Sequence, residues 1–177
     1  MEIKKYMETH GLTFRESFAV EMAADLTTLQ ENQTVVNNLK IVPVENEIML
    51  RKWIHVASIG FGVPVEVEDV WFDFFNEAAC TRPFQTYLAL LNGEPVGTSQ
   101  LFTSAGVAGI YNVTCIPEAR GQGIGAAITL APLLEARKMG YRVGILQASS
   151  MGHKVYQRLG FQEYGKLSVY LWERRTF

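Results

Sequence analysis

Apolar and polar positions change period several times along the chain, and each change marks an element. Residues 2–10 predict a short helix with Ile3, Tyr6 and His10 on one side. From Leu12, apolar residues at 12, 14, 18, 20 and 22 alternate with Arg15, Ser17 and Glu21, the period of a strand with one buried face. Asp25–Asn38 is polar and reads as a linker, and Leu39–Val44 reads as the first strand of the main domain. Between Glu45 and Gly60, the residues Met49, Trp53, Val56 and Ala57 recur at helical spacing until Gly60-Phe61-Gly62-Val63-Pro64 breaks the pattern. A second helix is predicted from about Glu66 to Ala79. Its buried face would be Val67, Val70, Trp71, Phe74, Phe75 and Ala78, with Asp69, Asp73 and Glu77 along another face. Phe84–Leu91 and Pro95–Thr103 flank Asn92-Gly93, a strong hairpin signal.

Val107–Ile116 reads as a further strand. A long helical pattern then runs to Met139, with Gly140 as its C-cap. Ile124, Ala127, Ile128, Ala131, Leu134 and Lys138 track one face of it, and Pro132 inside it predicts a kink. Arg142–Gln147 is a short strand, Gly152–Leu159 a short helix and Phe161–Trp172 the closing strand. A hairpin followed by alternating strands and helices predicts an α/β fold of the mixed α+β kind. Its sheet would be mixed and twisted, with helices on both faces.

The junction between the strand and the long helix carries the most chemistry. Pro117 ends the strand, because proline supplies no N–H to a ladder. Arg120 leads into Gly121, Gly123 and Gly125 at alternate positions, and the helix starts at once. The first N–H groups of a helix lack internal partners and its dipole favours negative charge there, so this turn predicts a phosphate site. An ATPase-type phosphate loop needs lysine and Ser or Thr after its last glycine, whereas Gly125 is followed by Ala126-Ala127. The dinucleotide fingerprint needs glycines at one, three and six and a later acid, and neither is present.

The remaining pattern is Arg-Gly-x-Gly-x-Gly/Ala after a strand and a proline. Arg120, Gly121, Gln122, Gly123, Ile124, Gly125 and Ala126 match it without a gap, and here the chain resembles the GNAT superfamily of acyl-CoA-dependent N-acyltransferases. Val155-Tyr156-Gln157-Arg158-Leu159-Gly160-Phe161 is similar to the family's last helix, in which a tyrosine precedes Gly-Phe. The resemblance covers roughly residues 39–177, leaving 1–38 as an N-terminal extension of helix, strand and linker. That extension could add an edge strand, contact a partner chain in a homodimer, or be the remnant of a longer lobe.

The resemblance implies transfer of an acetyl group from acetyl-CoA to a primary amine by direct attack in a ternary complex. It places the coenzyme A pyrophosphate on residues 120–126 and the pantetheine arm on Val113, Thr114 and Cys115 of a splayed strand, with the Val113 N–H as oxyanion donor. Tyr156 is implied as the general acid to the thiolate, and an ordinary phenol pKa of about 10 keeps it protonated at neutral pH. Ser150 stands where the family often has asparagine and can hydrogen-bond a pantetheine amide or a phosphate over a shorter reach. Asn112, Asp73 and Glu77 are candidates for the amine side. The base stays open among Asp69, Asp73, Glu77, His55 and a chain of waters. A non-catalytic acyl-CoA-binding sensor and an interaction protein that retains the fold are the alternatives.

With 177 residues, 48% of them hydrophobic and 19% charged, the chain can bury a full core and is not of disordered type. The net charge of −2 hides an asymmetry. Residues 1–90 carry 7 Lys+Arg against 13 Asp+Glu (net −6), and residues 91–177 carry 9 against 5 (net +4). A basic half suits an anionic cofactor and an acidic half a cationic small-molecule or protein amine. There is no basic run for nucleic acid, no signal-peptide pattern, no membrane-length apolar stretch and no metal-ligand spacing, so a cytoplasmic protein is expected. Cys80 and Cys115 read as reduced thiols.

Overall fold

The structure is a computed structural model that describes residues 3–30, 36–76 and 83–172. In chain order it contains α1 (Ile3–Thr9), β1 (Leu12–Asp25), β2 (Leu39–Pro43), α2 (Glu47–Phe61), α3 (Glu68–Asn76), β3 (Phe84–Leu91) and β4 (Glu94–Ser104). β5 (Val107–Cys115), α4 (Ile124–Lys138), β6 (Val143–Ala148), α5 (His153–Arg158) and β7 (Gln162–Trp172) follow. Short 3-10 turns at Leu26–Thr28, Val65–Val67 and Pro117–Ala119 join some of them.

Among the described residues, seven strands form one sheet in the order β2-β3-β4-β5-β6-β1-β7. Among these strands only β5 and β6 pair in parallel, and α4 supplies the crossover that a parallel pair requires. Tyr87 and Leu88, adjacent on β3, bury into different cores. Tyr87 packs with Leu130 and Leu133 of α4 and Leu159 next to α5, whereas Leu88 packs with Leu50, Trp53 and Ile54 of α2 and Phe72 of α3. Successive strand residues face opposite ways, so α4 and α5 cover one face of the sheet and α2 and α3 the other. The mixed sheet with helices on both faces is as expected.

Several expectations need correction. Of the places left open for the first segment, an edge strand does not hold, because β1 lies between β6 and β7. It pairs antiparallel with β6 from Val20↔Ala148 to Asp25↔Val143, and with β7 from Leu12↔Trp172 to Ala23↔Gln162. The segment expected as an extension therefore occupies the interior of the same sheet. The polar run after it is not simply a linker, because Leu26 and Leu29 are buried in the α4-side core. Residues 31–35 of that run lie outside the described residues.

The second helix also differs. It starts at Glu68 after a 3-10 turn, and its most buried residue is Phe72, while Val70 and Phe74 are exposed. Five of its residues, Val70, Trp71, Phe72, Phe74 and Phe75, are apolar, so periodicity could not single out one face. Ala78, Ala79, Cys80 and Glu77 lie outside the described residues. α4 runs through Pro132, which is buried, and its covered side keeps Ile124 and Ile128 of the expected row and adds Leu130, Leu133 and Ala136. Ala127, Ala131 and Leu134 of that row are only half-buried, and Lys138 is exposed.

Candidate active site

β5 is held on one side only at its C-terminal end. Its pairing with β6 begins at Val107↔Val143 and stops at Ile110↔Leu146, although β5 continues to Cys115. Its pairing with β4 continues to Thr114↔Thr98 and Cys115↔Gly97. The two parallel strands therefore part, and a gap opens between them. The Ile116 N–H turns toward β4, donating to the Val96 carbonyl (3.0 Å). Alternation along the strand then turns the Val113 and Cys115 N–H groups the other way, into the gap. A bulge accompanies the parting: three steps of β5, Tyr111 to Thr114, oppose two of β4, Gln100 to Thr98. Asn112, the extra residue, has φ 52°, a left-handed conformation that asparagine tolerates better than most residues.

The glycine turn lies at the end of this strand. Gly121 (φ 76°) and Gly123 (φ 84°) are both left-handed, which glycine adopts without steric cost. No side chain caps α4, and the first main-chain bond into it is from the Ala127 N–H to the Gly123 carbonyl (3.1 Å). The N–H groups of Ile124, Gly125 and Ala126 are thus left at the helix start for an external acceptor. A β-carbon at Gly121 or Gly125 would meet no atom within 4 Å, so open space stands before these amides. No acidic residue occupies the first turn. The arrangement fits a phosphate or diphosphate.

Arg120 ties this turn to its surroundings. Its Nε donates to the Cys115 carbonyl (3.1 Å) and an Nη to the Gly60 carbonyl near the end of α2 (2.8 Å). Two donors of the fork are used on protein, and the guanidinium retains others for an anion. Gln122 is exposed, with its Nε2 donating to the Glu118 carbonyl (3.1 Å).

On the α4 side of the gap, Tyr156 of α5 is buried against Phe161, their ring centroids 6.1 Å apart. Gly152 makes room for the ring, since a β-carbon there would come within 2.7 Å of it. The phenol interacts with the Thr129 hydroxyl of α4 and with Cys115 at the end of β5. Burial pushes the phenol up to about 12, against a smaller lowering by Thr129. Burial likewise pushes the Cys115 thiol up to about 11, against the pull of Arg120. Neutral Cys115 is a packing residue of the strand end. Thr114 packs on α2 beside Gly60. Ser150 is exposed just beyond the end of β6.

Across the sheet from Tyr156, a cleft of about 400 Å³ lies between α2, α3 and β5. Trp53, Ala57 and Phe61 of α2 line one wall, and Val70, Trp71, Phe74 and Phe75 of α3 the other. Asn112 is its one polar lining residue among those described. Its Nδ2 donates to Gln100 Oε1 (3.0 Å), and Gln100 Nε2 donates to Thr86 Oγ1 (3.2 Å). Thr98 Oγ1 donates to the Asn112 carbonyl (2.8 Å). Gln100, Thr86 and Thr98 are buried and were not singled out from sequence. Three polar side chains amid apolar strand residues were the available signal.

None of the candidate bases that the structure describes lines this cleft. Asp69 pairs with Arg51 (3.3 Å) and is almost fully exposed. His55 Nδ1 lies 3.1 Å from Glu68 Oε1, which also accepts from Ser58. Asp73 is exposed and does not line the cleft, and Glu77 lies outside the described residues. No three His, Cys, Asp or Glu side chains cluster as metal ligands among the described residues, and none of the helices described is long and apolar enough to cross a membrane.

Residues 82–163 match the family model of the acetyltransferase (GNAT) domain. No curated protein matches the chain. Among solved structures, the chain is similar to a GCN5-related N-acetyltransferase from Kribbella flavida, with 18% identity and a TM-score of 0.75 over 98% of this chain and 64% of that one. A GCN5-related N-acetyltransferase from Sphaerobacter thermophilus gives 19% identity and a TM-score of 0.75, covering 94% of this chain and 54% of that one. A predicted acetyltransferase with acetyl-CoA from Clostridium acetobutylicum gives 20% and 0.57, covering 71% and 91%. The chain thus spans just under two thirds and just over half of the first two relatives. At such identities the likeness is one of fold.

Proposed function

We propose that the chain is a member of the GNAT superfamily, whose domain model matches residues 82–163, and that it moves an acetyl group from acetyl-CoA to a primary amine within a ternary complex. The observation that carries the reading is the parting of β5 from β6 beside an uncapped helix start. Together they offer amides for a diphosphate and, next to them, free strand amides for an extended polar arm.

Acetyl-CoA supplies an activated acyl group: the amine nitrogen bonds to the acyl carbon, the carbon–sulfur bond breaks, one proton leaves nitrogen and one reaches sulfur. Residues 120–126 bind the diphosphate through backbone N–H groups and the Arg120 fork. Val113, Thr114 and Cys115 orient the arm, and the Val113 N–H is directed at the acyl oxygen, where fixed donors contribute most. Tyr156 faces the sulfur. Burial raises the phenol to about 12, which favours a hydrogen bond to the developing thiolate over complete proton transfer. The phenol therefore acts by donating a hydrogen bond to the developing thiolate, and the sulfur takes its proton finally from solvent. That role is narrower than general acid.

No titratable side chain lines the cleft among the described residues. The amine then loses its proton to water, and the enzyme works on the neutral fraction. The same observation favours, as a second reading, a sensor that binds acyl-CoA without turning it over.

Two measurements test the proposal. Acetyl-CoA at 100 times its dissociation constant should stabilise the fold by about 2.7 kcal/mol, and amines should then provoke thiol release. Stabilisation without release across a broad amine library selects the sensor, and neither effect removes both readings.

A further inference from the structure

Resting on that reading, we propose that the cleft between α2 and α3 accepts a singly charged primary amine with an apolar aromatic or alkyl body, its nitrogen held at Asn112 Oδ1. The walls bear no charge. Phe61 is 48% exposed, Val70 66% and Phe74 75%, and all three face the cleft rather than the core. Uncovered large apolar side chains grouped around one concavity mark a ligand surface more than an ordinary exposed position.

The floor gives a direction. The Asn112 amide is fixed by its Nδ2 bond to Gln100, whose own amide is fixed on Thr86. Among the described residues nothing donates to Asn112 Oδ1. An acceptor oxygen at the end of an apolar cleft selects an N–H donor. Asn112 sits on the bulge where β5 turns away from its regular pairing, one residue before Val113. A nitrogen held there is adjacent to the gap proposed for the acyl group.

The charges of the described residues disfavour polycationic acceptors. A polyamine or an aminoglycoside would bring further ammonium groups against Trp53, Trp71 and Phe74, where no carboxylate among the described residues compensates them. Two acidic residues of α3 that were candidates for the base lie elsewhere, Asp69 on Arg51 and Asp73 in solvent.

The test uses the full chain saturated with coenzyme A and follows tryptophan fluorescence, because Trp53 and Trp71 line the cleft. 2-Phenylethylamine should perturb the emission at a concentration at least tenfold lower than spermidine. Thiol release from acetyl-CoA should show the same order in kcat/KM. Phe74→Asp, at an exposed position, should narrow or reverse that order while leaving stabilisation by acetyl-CoA unchanged, which also reports that the variant is folded. Equal or tighter binding of spermidine overturns the proposal. So does the absence of any emission change and thiol release with 2-phenylethylamine, when acetyl-CoA still stabilises the chain. Loss of acetyl-CoA stabilisation in the unaltered protein overturns the acyltransferase reading as well.

Discussion

Gly60 of α2 lies so close to Thr114 of β5 that a β-carbon at position 60 would stand 2.4 Å from the threonine hydroxyl. The helix does not end at this glycine; it continues to Phe61 and is closed by Gly62, whose φ is 70°. Gly60 instead allows α2 to approach the end of β5, where Arg120 then bridges the Gly60 and Cys115 carbonyls. Gly60→Ala should cost about 1–3 kcal/mol by overpacking, a fall in Tm of roughly 2–4 °C per kcal/mol for a chain of this size. Acetyl-CoA affinity should fall too, because the strand end moves with Thr114. A calorimetric scan with and without acetyl-CoA reads both. An unchanged Tm would show that Thr114 is free to turn aside.

Gly125 offers a cleaner probe of the anion site than Gly123. Gly123 has φ 84°, so any side chain there strains the turn itself. Gly125 is within α4 and faces open space. Gly125→Asp should therefore preserve the fold while placing a carboxylate before the amides of the first turn. We expect acetyl-CoA stabilisation to vanish with the Tm of the free protein changed by no more than a few degrees. Retained stabilisation would mean that the diphosphate binds elsewhere.

The glycine turn was legible because its chemistry is local: a strand, a proline, a left-handed turn and a helix start are all written in contiguous residues. So was the Asn92-Gly93 hairpin, both of whose residues have positive φ. The position of β1 was not legible. Alternation from Leu12 to Met22 describes a strand with one buried face equally well at an edge or between two neighbours, and the choice depends on β6 and β7 more than a hundred residues away. The aromatic helix misled for another reason. Helical period predicted that Val70 and Phe74 face the core, yet they line a cleft. Apolar side chains kept for a ligand follow the same period as those kept for packing. The Asn112–Gln100–Thr86 chain depends on cross-strand register, which single positions do not reveal.

Tyr156→Phe separates two roles for one phenol. Loss of a hydrogen bond to a charged group costs about 1.5–3 kcal/mol, a fall in kcat of roughly 10–100-fold. Loss of a true general acid would cost 10²–10⁴-fold. We expect the smaller fall with an unchanged KM for acetyl-CoA. The pH profile carries the same information. kcat/KM should rise with pH as the amine is deprotonated, with no falling limb from Tyr156 below about pH 11, because the phenol ionises only near 12. The sign for stability follows: the folded value exceeds the ordinary 10, so this contribution is whole below pH 10 and lost as pH rises through 12. A falling limb near pH 9 that disappears in Tyr156→Phe would restore the general acid.

Removal of residues 1–38 is the decisive test of how the domain is built. If that segment were an appendage, a chain of residues 39–177 would fold and bind acetyl-CoA. In the structure, β1 stands between β6 and β7, and nothing else among the described residues joins those two strands in the sheet. Its loss strips the ladder from both neighbours over up to 11 residues of β7 and the six of β6, and exposes the partners of Met22, Ala24 and Leu26 in the core shared with Tyr156. Unpaired edges and uncovered apolar surface of that extent favour aggregation over a marginally stable fold. The shortened chain should be insoluble or melt without cooperativity. Adding residues 1–30 as a separate peptide should restore a cooperative transition, since an interior strand can be supplied in trans when both of its neighbours are waiting. A cooperative melt of residues 39–177 alone, shifted upward by acetyl-CoA, would show that β6 and β7 can close on each other and that β1 is dispensable.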